Sequence, residues 1–369
     1  MKRVLIAVLI LLILAVVAVC VGSYWVYHSV NRPHEHTHAN DYIKIEKGSS
    51  PRQIIDQLAE AGIIESHMAT MLYLRTVGDA SKLQAGEYQF PSPISAMQVL
   101  KELEKGQDAT IKLTIPEGFT RFDIAKRIVD RFPHDATLDD KAVLAMMDDT
   151  SSIKDIAPTA TSLEGYMYPS TYSLARDSKP QDIIKAMVEQ FRKVWKPDYA
   201  LAAAKAGRTP HQIVTIASLI ETETGVETER PIVAGIINNR LAKNTPLGID
   251  QTNVYIAKML GRWDGVINKS DLEVDSPYNT RIKTGLPPGP ISSVSESAIK
   301  AALFPQANDY LFYVRNVDLN DGSHWFYSSA AEFEKGKAKY QQWLQEKQAA
   351  RRQEQANGNS NTNDQASNP

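Results

Sequence analysis

The sequence predicts an α+β protein hung on an N-terminal transmembrane helix. Three observations carry that expectation. An unbroken apolar run from Val4 to Val21 follows Lys2 and Arg3. A strand, glycine turn and amphipathic helix then occur twice, at 45–58 and 115–128. The second half holds an apolar helical stripe, 213–225, and two aromatic strands flanking an Asn320-Asp-Gly322 turn. Short strands mixed with helices, without a long βαβ alternation, favour helices packed on small sheets.

The apolar run is long enough for the hydrocarbon core of a bilayer, which takes about 20 residues. Tyr24, Trp25 and Tyr27 at its outer end suit an interfacial aromatic belt, and Lys2 and Arg3 favour a cytoplasmic N-terminus against Arg32 on the other flank. The run exceeds the apolar core of a cleaved signal, and no small-x-small site closes it. Val19 stands where a lipoprotein signal needs a small residue before Cys20. Residues 1–30 are therefore expected to stay as a single anchor in the cytoplasmic (inner) membrane. The rest would then lie outside it, in the periplasm if the cell is Gram-negative. Cys20 is the only cysteine, so no intramolecular disulfide is possible, and a net charge of -2 supplies no basic field for nucleic acid.

Residues 31–41 read as a polar juxtamembrane linker. His34-Glu-His-Thr-His38 would present imidazoles on one side if extended, but such a run is more often a solvated linker, and no metal site is expected. Region 42–155 carries the weak internal repeat. Ser50 with Gln53 and Thr120 with Asp123 are helix-start signals, the first reinforced by Pro51. Further helices are expected at about 66–76 and 95–104, with a short strand at 86–90. A second domain, 156–349, opens on the aromatic segment Leu163-Glu-Gly-Tyr-Met-Tyr-Pro-Ser-Thr-Tyr172. Helices follow at about 180–195, in the Glu221 stripe of 213–225 and at 230–241, then the hairpin of 310–317 and 324–327, and a last helix at 329–349. Residues 350–369, rich in Asn, Gln and Ser, are expected to be disordered.

Glu221 is the candidate catalytic residue. Ile213, Ala217 and Glu221 stack at i, i+4 and i+8, so a carboxylate ends an apolar stripe. Loss of water there raises its proton affinity and fits it for general-acid work, whereas a helix-end acid paired with an arginine is the structural alternative. Glu223 is about 200° away on the helix and cannot share that face; with Glu227 and Glu229 it reads as solvated or capping. Asp250 and Thr252 follow a loop and could approach through the fold. The Gly285-Leu-Pro-Pro-Gly-Pro-Ile291 run is stiff enough to hold Asn279 and backbone groups beside a cleft, or to be a plain turn.

In order along the chain, the anchor, Leu163-Glu-Gly-Tyr166, Ala217-Ser-Leu-Ile-Glu-Thr-Glu-Thr224, Arg230, Asn239-Arg-Leu241, Asp250 with Thr252, Tyr278-Asn-Thr280 and Gly285-Leu-Pro-Pro-Gly289 resemble the YceG-like family, the endolytic murein transglycosylases of the bacterial envelope. The resemblance implies a LysM-like region at 42–155, a catalytic domain at 156–349 and Glu221 as the catalytic acid. It also implies substrate contacts from Asp250, Thr252, Tyr278, Asn279, Gly285 and Pro287. The implied substrate is the GlcNAc–MurNAc strand of peptidoglycan, cut to leave 1,6-anhydroMurNAc ends with no metal or organic cofactor. It places the protein beside peptidoglycan synthases, ending nascent strands. Two positions depart from the family pattern. Gly248-Ile249 stands where a Gln and a Ser or Thr usually precede the aspartate, and Glu332-Phe-Glu334 replaces a Glu-His-Asn. A hydrolytic muramidase using Asp250 as second carboxylate, and a non-catalytic glycan-binding scaffold, stay open as alternatives.

Overall fold

A computed structural model describes residues 2–106, 110–132, 138–175 and 178–365, arranged as two units divided between Ile111 and Lys112. Helix and strand are mixed throughout, with two-stranded sheets only among the described residues.

In the first unit, α1 (Lys2–Asn31) is one continuous helix, exposed from Val4 to Trp25. Its last turns are different: Val26 and Val30 are buried in the unit's core with Ile55, Leu58, Tyr88 and Leu103. The expected linker is partly structured. β1 (Pro33–His34) pairs antiparallel with β4 (Ile94–Ser95), and β2 (Ile43–Ile45) with β3 (Gly86–Tyr88). His36 bonds Ser92 and Pro91 while His38 bonds Asp41, so the imidazoles have separate partners. Helix α2 (Pro51–Glu60) starts at the expected Ser50–Gln53 capping box, followed by α3 (His67–Thr76) and α4 (Ala96–Lys105), which ends at Gly106.

The division falls within β5 (Thr110–Ile115), which pairs with β6 (Ser170–Ala175); α5 (Arg121–Arg131), whose Thr120–Asp123 capping box is formed, follows in the second unit. The sequence placed a boundary at 155, with both repeat copies before it. The copies instead fall in different units, because α5 is tied to later residues. Asp123 is ion-paired to Lys258 at 2.6 Å, and the Arg121 N–H donates to Glu164. Then come α6 (Asp140–Met147), α7 (Pro180–Val194), α8 (Pro197–Lys205), α9 (Pro210–Glu223), α10 (Arg230–Ala242), α11 (Asp250–Met259), α12 (Lys269–Leu272) and α13 (Glu296–Leu303). The expected hairpin forms from β7 (Phe312–Arg315) and β8 (His324–Tyr327), pairing Phe312 with Tyr327 and Arg315 with His324, with Asn320 and Gly322 at positive φ. α14 (Ala330–Gln365) continues past residue 349, where disorder was expected. The run Ala349-Ala-Arg-Arg-Gln-Glu-Gln355 is made of good helix formers, which composition alone obscured. Residues 366–369 of that expected tail lie outside the described residues.

At the centre of this unit is α9. A Thr209–Gln212 capping box and Pro210 start it, and every residue from Ile213 to Ile220 is buried. Gly165, at φ 81°, brings the Leu163–Tyr166 loop against α9 and the Pro-Gly loop; a Cβ there would lie 2.5 Å from Pro290 and 3.0 Å from Val214. Gly165→Ala therefore combines a left-handed backbone with overpacking, and is expected to cost about 2–4 kcal/mol. Urea unfolding followed by tryptophan fluorescence checks this, since Trp195 stacks on Phe191, which touches Tyr166.

Candidate active site

Glu221 is in the last turn of α9 with 3% of its side chain exposed. Its carboxylate is fully engaged. Oε1 accepts from the Arg230 guanidinium at 2.8 Å; Oε2 accepts from the Ser295 backbone N–H at 2.8 Å and its hydroxyl at 2.5 Å. Ser295 is also the N-cap of α13, accepting from Ala298 N–H, and Arg230 donates a second bond to its hydroxyl oxygen. Carboxylate, guanidinium and serine thus close a ring. Burial raises the proton affinity of Glu221 above the ordinary value, helped by the nearby charge of Glu117 and opposed by Ser295 and Arg230.

The loop carrying Ser295 is fixed to α9 by bonds through two serine hydroxyls. The Ile291 N–H donates to Ser218 Oγ, and the Ser292 hydroxyl donates to Ser218 O. The same loop holds the Pro116–Phe119 turn: Gly118 N–H donates to Ser293 O and Ser293 N–H to Phe119 O. That pairing brings Glu117 to 3.5 Å from the Arg230 nitrogen that also holds Glu221. Glu117 is half exposed, so a second carboxylate flanks the recessed one. Tyr168, half-buried and raised by that burial, feels the charges of Glu296, Glu117 and Glu221. Glu296 takes bonds from Tyr199, Lys196 and Lys300, which hold its carboxyl down to about 2. The sequence reading missed Glu117, Tyr168, Ser295 and Glu296. Its one usable signal was the Pro116-Glu-Gly118 turn in the repeat.

The residues expected to surround Glu221 are placed elsewhere. Asp250 begins α11, paired with Arg281 and near Glu223. Thr252 is fully buried, donating to Ile249 O and bonded to Thr280. Asn279 is fully buried too, its amide donating to Leu272 O and Val274 O. These two spend their polar atoms on backbone and neighbours, so they shape loops. Of the altered pair, Gly248 has φ 66°, and Ile249 is buried with its N–H donating to Thr280 Oγ1. Tyr278 packs on Tyr255, close to buried Glu164. Gly285, at φ 88°, turns the chain into the run where Pro287 lines a cavity of about 530 Å³ with Arg208, His211 and Gln212. His211 Nε2 donates to Pro288 O, which leaves Nδ1 to accept from the Tyr166 hydroxyl at 2.8 Å.

Glu223 and Glu229 are not solvated. Glu223 faces away from Glu221, as the helix angle requires, but the Tyr313 hydroxyl of β7 donates to it. Protein surrounds its carboxyl and desolvation raises it to about 7, although part of the residue still reaches solvent. Glu229 is buried, accepting from His324 N–H and Thr224 Oγ1 and bonded to His324 Nδ1 at 2.7 Å. Both acids bind a hairpin some 90 residues later in the chain, which periodicity on α9 alone does not reveal.

The family model described as the YceG-like family matches residues 43–339. An endolytic murein transglycosylase of Bacillus subtilis is 33% identical over 314 residues, covering 81% of this chain and 84% of that protein. One from Streptococcus pneumoniae serotype 2 is 28% identical over 325 residues, covering 81% of this chain but 58% of the longer relative. A crystal structure of a YceG-like protein from Listeria monocytogenes aligns with a TM-score of 0.53 at 33% identity, covering 80% of this chain and 98% of that one.

Glu164 supplies a test of the site's surroundings. It is 2% exposed, and burial raises its carboxyl from 4.5 to about 7 despite the Arg121 N–H and charge. The folded state then holds a proton that the unfolded state has released between those values. Stability falls as pH rises through that window and levels off above it. Glu223, also raised to about 7, adds a slope of the same sign. Glu164→Gln is expected to shrink the slope without abolishing it, as read by urea denaturation across the window; an unchanged slope contradicts this assignment.

Proposed function

The chain belongs to the YceG-like family, and on that premise we propose that it is a membrane-anchored endolytic lytic transglycosylase of peptidoglycan with Glu221 as its single acid and base. The observation that carries the reading is the carboxyl of Glu221, recessed at the end of an otherwise buried helix and gripped by Ser295 and Arg230. Glu221 gives its proton to the oxygen leaving C1 of MurNAc as that bond breaks and positive charge develops on the ring. The resulting carboxylate is stabilised by Arg230 and the Ser295 N–H. It then takes the proton of the MurNAc 6-hydroxyl as that oxygen bonds C1. One bond is broken and one formed, the proton returns, and no water is consumed; the product carries a 1,6-anhydro ring.

Glu117 and Tyr168 flank the recessed carboxyl and are assigned to substrate positioning, with Glu117 also adjusting the charge balance around Arg230. Gly285, Pro287 and Tyr278 act through the loops that border α9, while Asp250, Thr252 and Asn279 hold the neighbouring segment. The first unit is read as a LysM-like glycan-facing module on the strength of Ile43–Ile45, the Gly48 turn and α2. α1 is read as a retained anchor with its N-terminus inside, because removing it would strip Val26 and Val30 from the core of that unit. The family resemblance suggests work beside peptidoglycan synthases, ending nascent strands, and an anchor that keeps the enzyme near the bilayer fits that reading.

A hydrolytic muramidase is the second reading, and one observation favours it: Glu117 is a second carboxylate across Arg230 from Glu221. It replaces Asp250 in the role of water-activating group. Mass spectrometry of digested peptidoglycan separates the two, since hydrolytic ends are heavier by one water.

Glu221→Gln is expected to lower the yield of anhydro ends by about 10²–10⁴-fold with the fold intact; product formed at the wild-type rate defeats the assignment. A second expectation concerns pH. Activity needs protonated Glu221, so kcat/KM falls as pH rises through its pKa. Arg230, Ser295, Glu117, Glu296 and Tyr168 are the polar groups around it, and Glu117 raises its proton affinity. Glu117→Gln should therefore move the alkaline limb of the profile to lower pH, and a limb that stays in place or moves up contradicts that role.

A further inference from the structure

The lower end of α3 is a place where the first unit exposes apolar surface beside its own anchor. Helix α3 runs antiparallel to the last turns of α1. Glu65, just before α3, is 4.0 Å from Arg32. At the other end, Leu72, Thr76 and Val77 face Gly22, Ser23 and Val26 across a groove of about 430 Å³. Moving from Arg32 back to Gly22 descends α1 by about 15 Å at 1.5 Å per residue.

That descent reaches the membrane. Counted from Val4, the roughly 20 residues that cross the hydrocarbon end close to Ser23. Tyr24, Trp25 and Tyr27, all exposed, mark the headgroup level on α1. Val77, 74% exposed, and Leu72, 43% exposed, are at that same level. Arg75 and Lys82, both exposed, flank them with the charge that lipid phosphates attract. An apolar tip continuous with a bilayer-spanning surface, flanked by exposed Arg75 and by Lys82, which also pairs with Asp79 at 3.7 Å, has the composition of an interfacial contact.

We propose that the end of α3 and the turn after it, with Leu72 and Val77 inward and Arg75 and Lys82 at the phosphates, rest in the outer leaflet of the bilayer as a second membrane contact of the first unit. The proposal depends on α1 spanning the bilayer. Two contacts, one spanning and one interfacial, fix the tilt and height of this unit where a single helix would leave it free to rotate.

The test uses the full chain in vesicles of phosphatidylcholine with phosphatidylglycerol. Cys20→Ser is combined in turn with Gly22→Cys, Val77→Cys and Glu65→Cys, each carrying an environment-sensitive fluorophore. A Cβ at Gly22 meets nothing within 4 Å, so that site tolerates the change. Probes at 22 and 77 should be blue-shifted and quenched by a lipid spin-labelled near its headgroup, while the probe at 65, at the raised end of the same helix, should be neither. Quenching at 22 without quenching at 77 overturns the interfacial contact and leaves the anchor standing. No quenching at 22 overturns the anchor, and the contact with it. A probe at 77 that is blue-shifted yet unquenched means that protein covers the patch, and that also overturns the proposal. Replacing the anionic lipid by phosphatidylcholine alone should weaken quenching at 77 and leave it unchanged at 22; equal quenching at 77 in both vesicles removes Arg75 and Lys82 from the contact.

Discussion

The ring of Glu221, Arg230 and Ser295 is the interaction on which the second unit depends. A carboxyl at the end of a helix whose preceding residues are all buried must either keep its proton or find donors, because an unpaired buried charge is intolerably costly. Here the donors come from two directions: Arg230, which opens α10, and Ser295, the N-cap of α13. Ser295 therefore serves two helices at once, ending the polar need of α9 and starting α13. A change at any corner of the ring leaves the other two with buried, unmatched polar atoms. Arg230 Nε is buried without a hydrogen-bond partner, so the guanidinium already carries one unmet donor and tolerates the loss of another partner poorly.

Two acids separated by one residue at the end of α9 serve different neighbourhoods. Glu221 turns towards the loop of Ile291–Ser295, and Glu223 turns towards Tyr313 and the hairpin. Glu229, buried beneath the hairpin, adds a second tie through His324. The helix end is thus a junction: one face joins the ring of Arg230 and Ser295 and the other fastens a late strand pair. Desolvation drives the proton affinity of both acids upward; Arg230 and the N-cap Ser295 steady the ionised form of Glu221, and Tyr313 and the charge of Arg240 that of Glu223.

Local rules were legible in the sequence where the cause is local. The capping boxes at Ser50 and Thr120, the stripe of α9 and the Asn320-Asp-Gly322 hairpin each follow from residues within a few positions of one another. Glu117 was not legible, because its approach to Arg230 rests on backbone bonds between Gly118, Phe119 and Ser293, a pairing with no side-chain signature. The unit boundary was misplaced for a related reason. Similar strand–helix copies suggested one region, but Asp123 of the second copy is committed to Lys258, far along the chain. Asn279 looked like a cleft residue because polar side chains beside a Pro-Gly loop look alike whether they face a ligand or clamp the loop. Its burial decides for the clamp, and burial is a property of the whole fold.

A single carboxyl that acts first as acid and then as base needs a proton affinity that is neither extreme. Burial alone would hold the proton on Glu221 too firmly, while Arg230 and Ser295 alone would strip it off. The two oppose each other, and Glu117, 3.5 Å from the same guanidinium nitrogen on the solvent side, adds to the side of burial. Because it is half exposed, its own influence is open to displacement or neutralisation by whatever occupies the cleft. A saccharide that shields Glu117 from water would strengthen its field at Glu221, raising the hold on the proton while substrate is arriving. As positive charge develops on the sugar, the same negative charge would favour that state. In the proposed mechanism, the arginine shared by two carboxylates, set against the burial of Glu221, is what would let one acid serve both halves of the reaction.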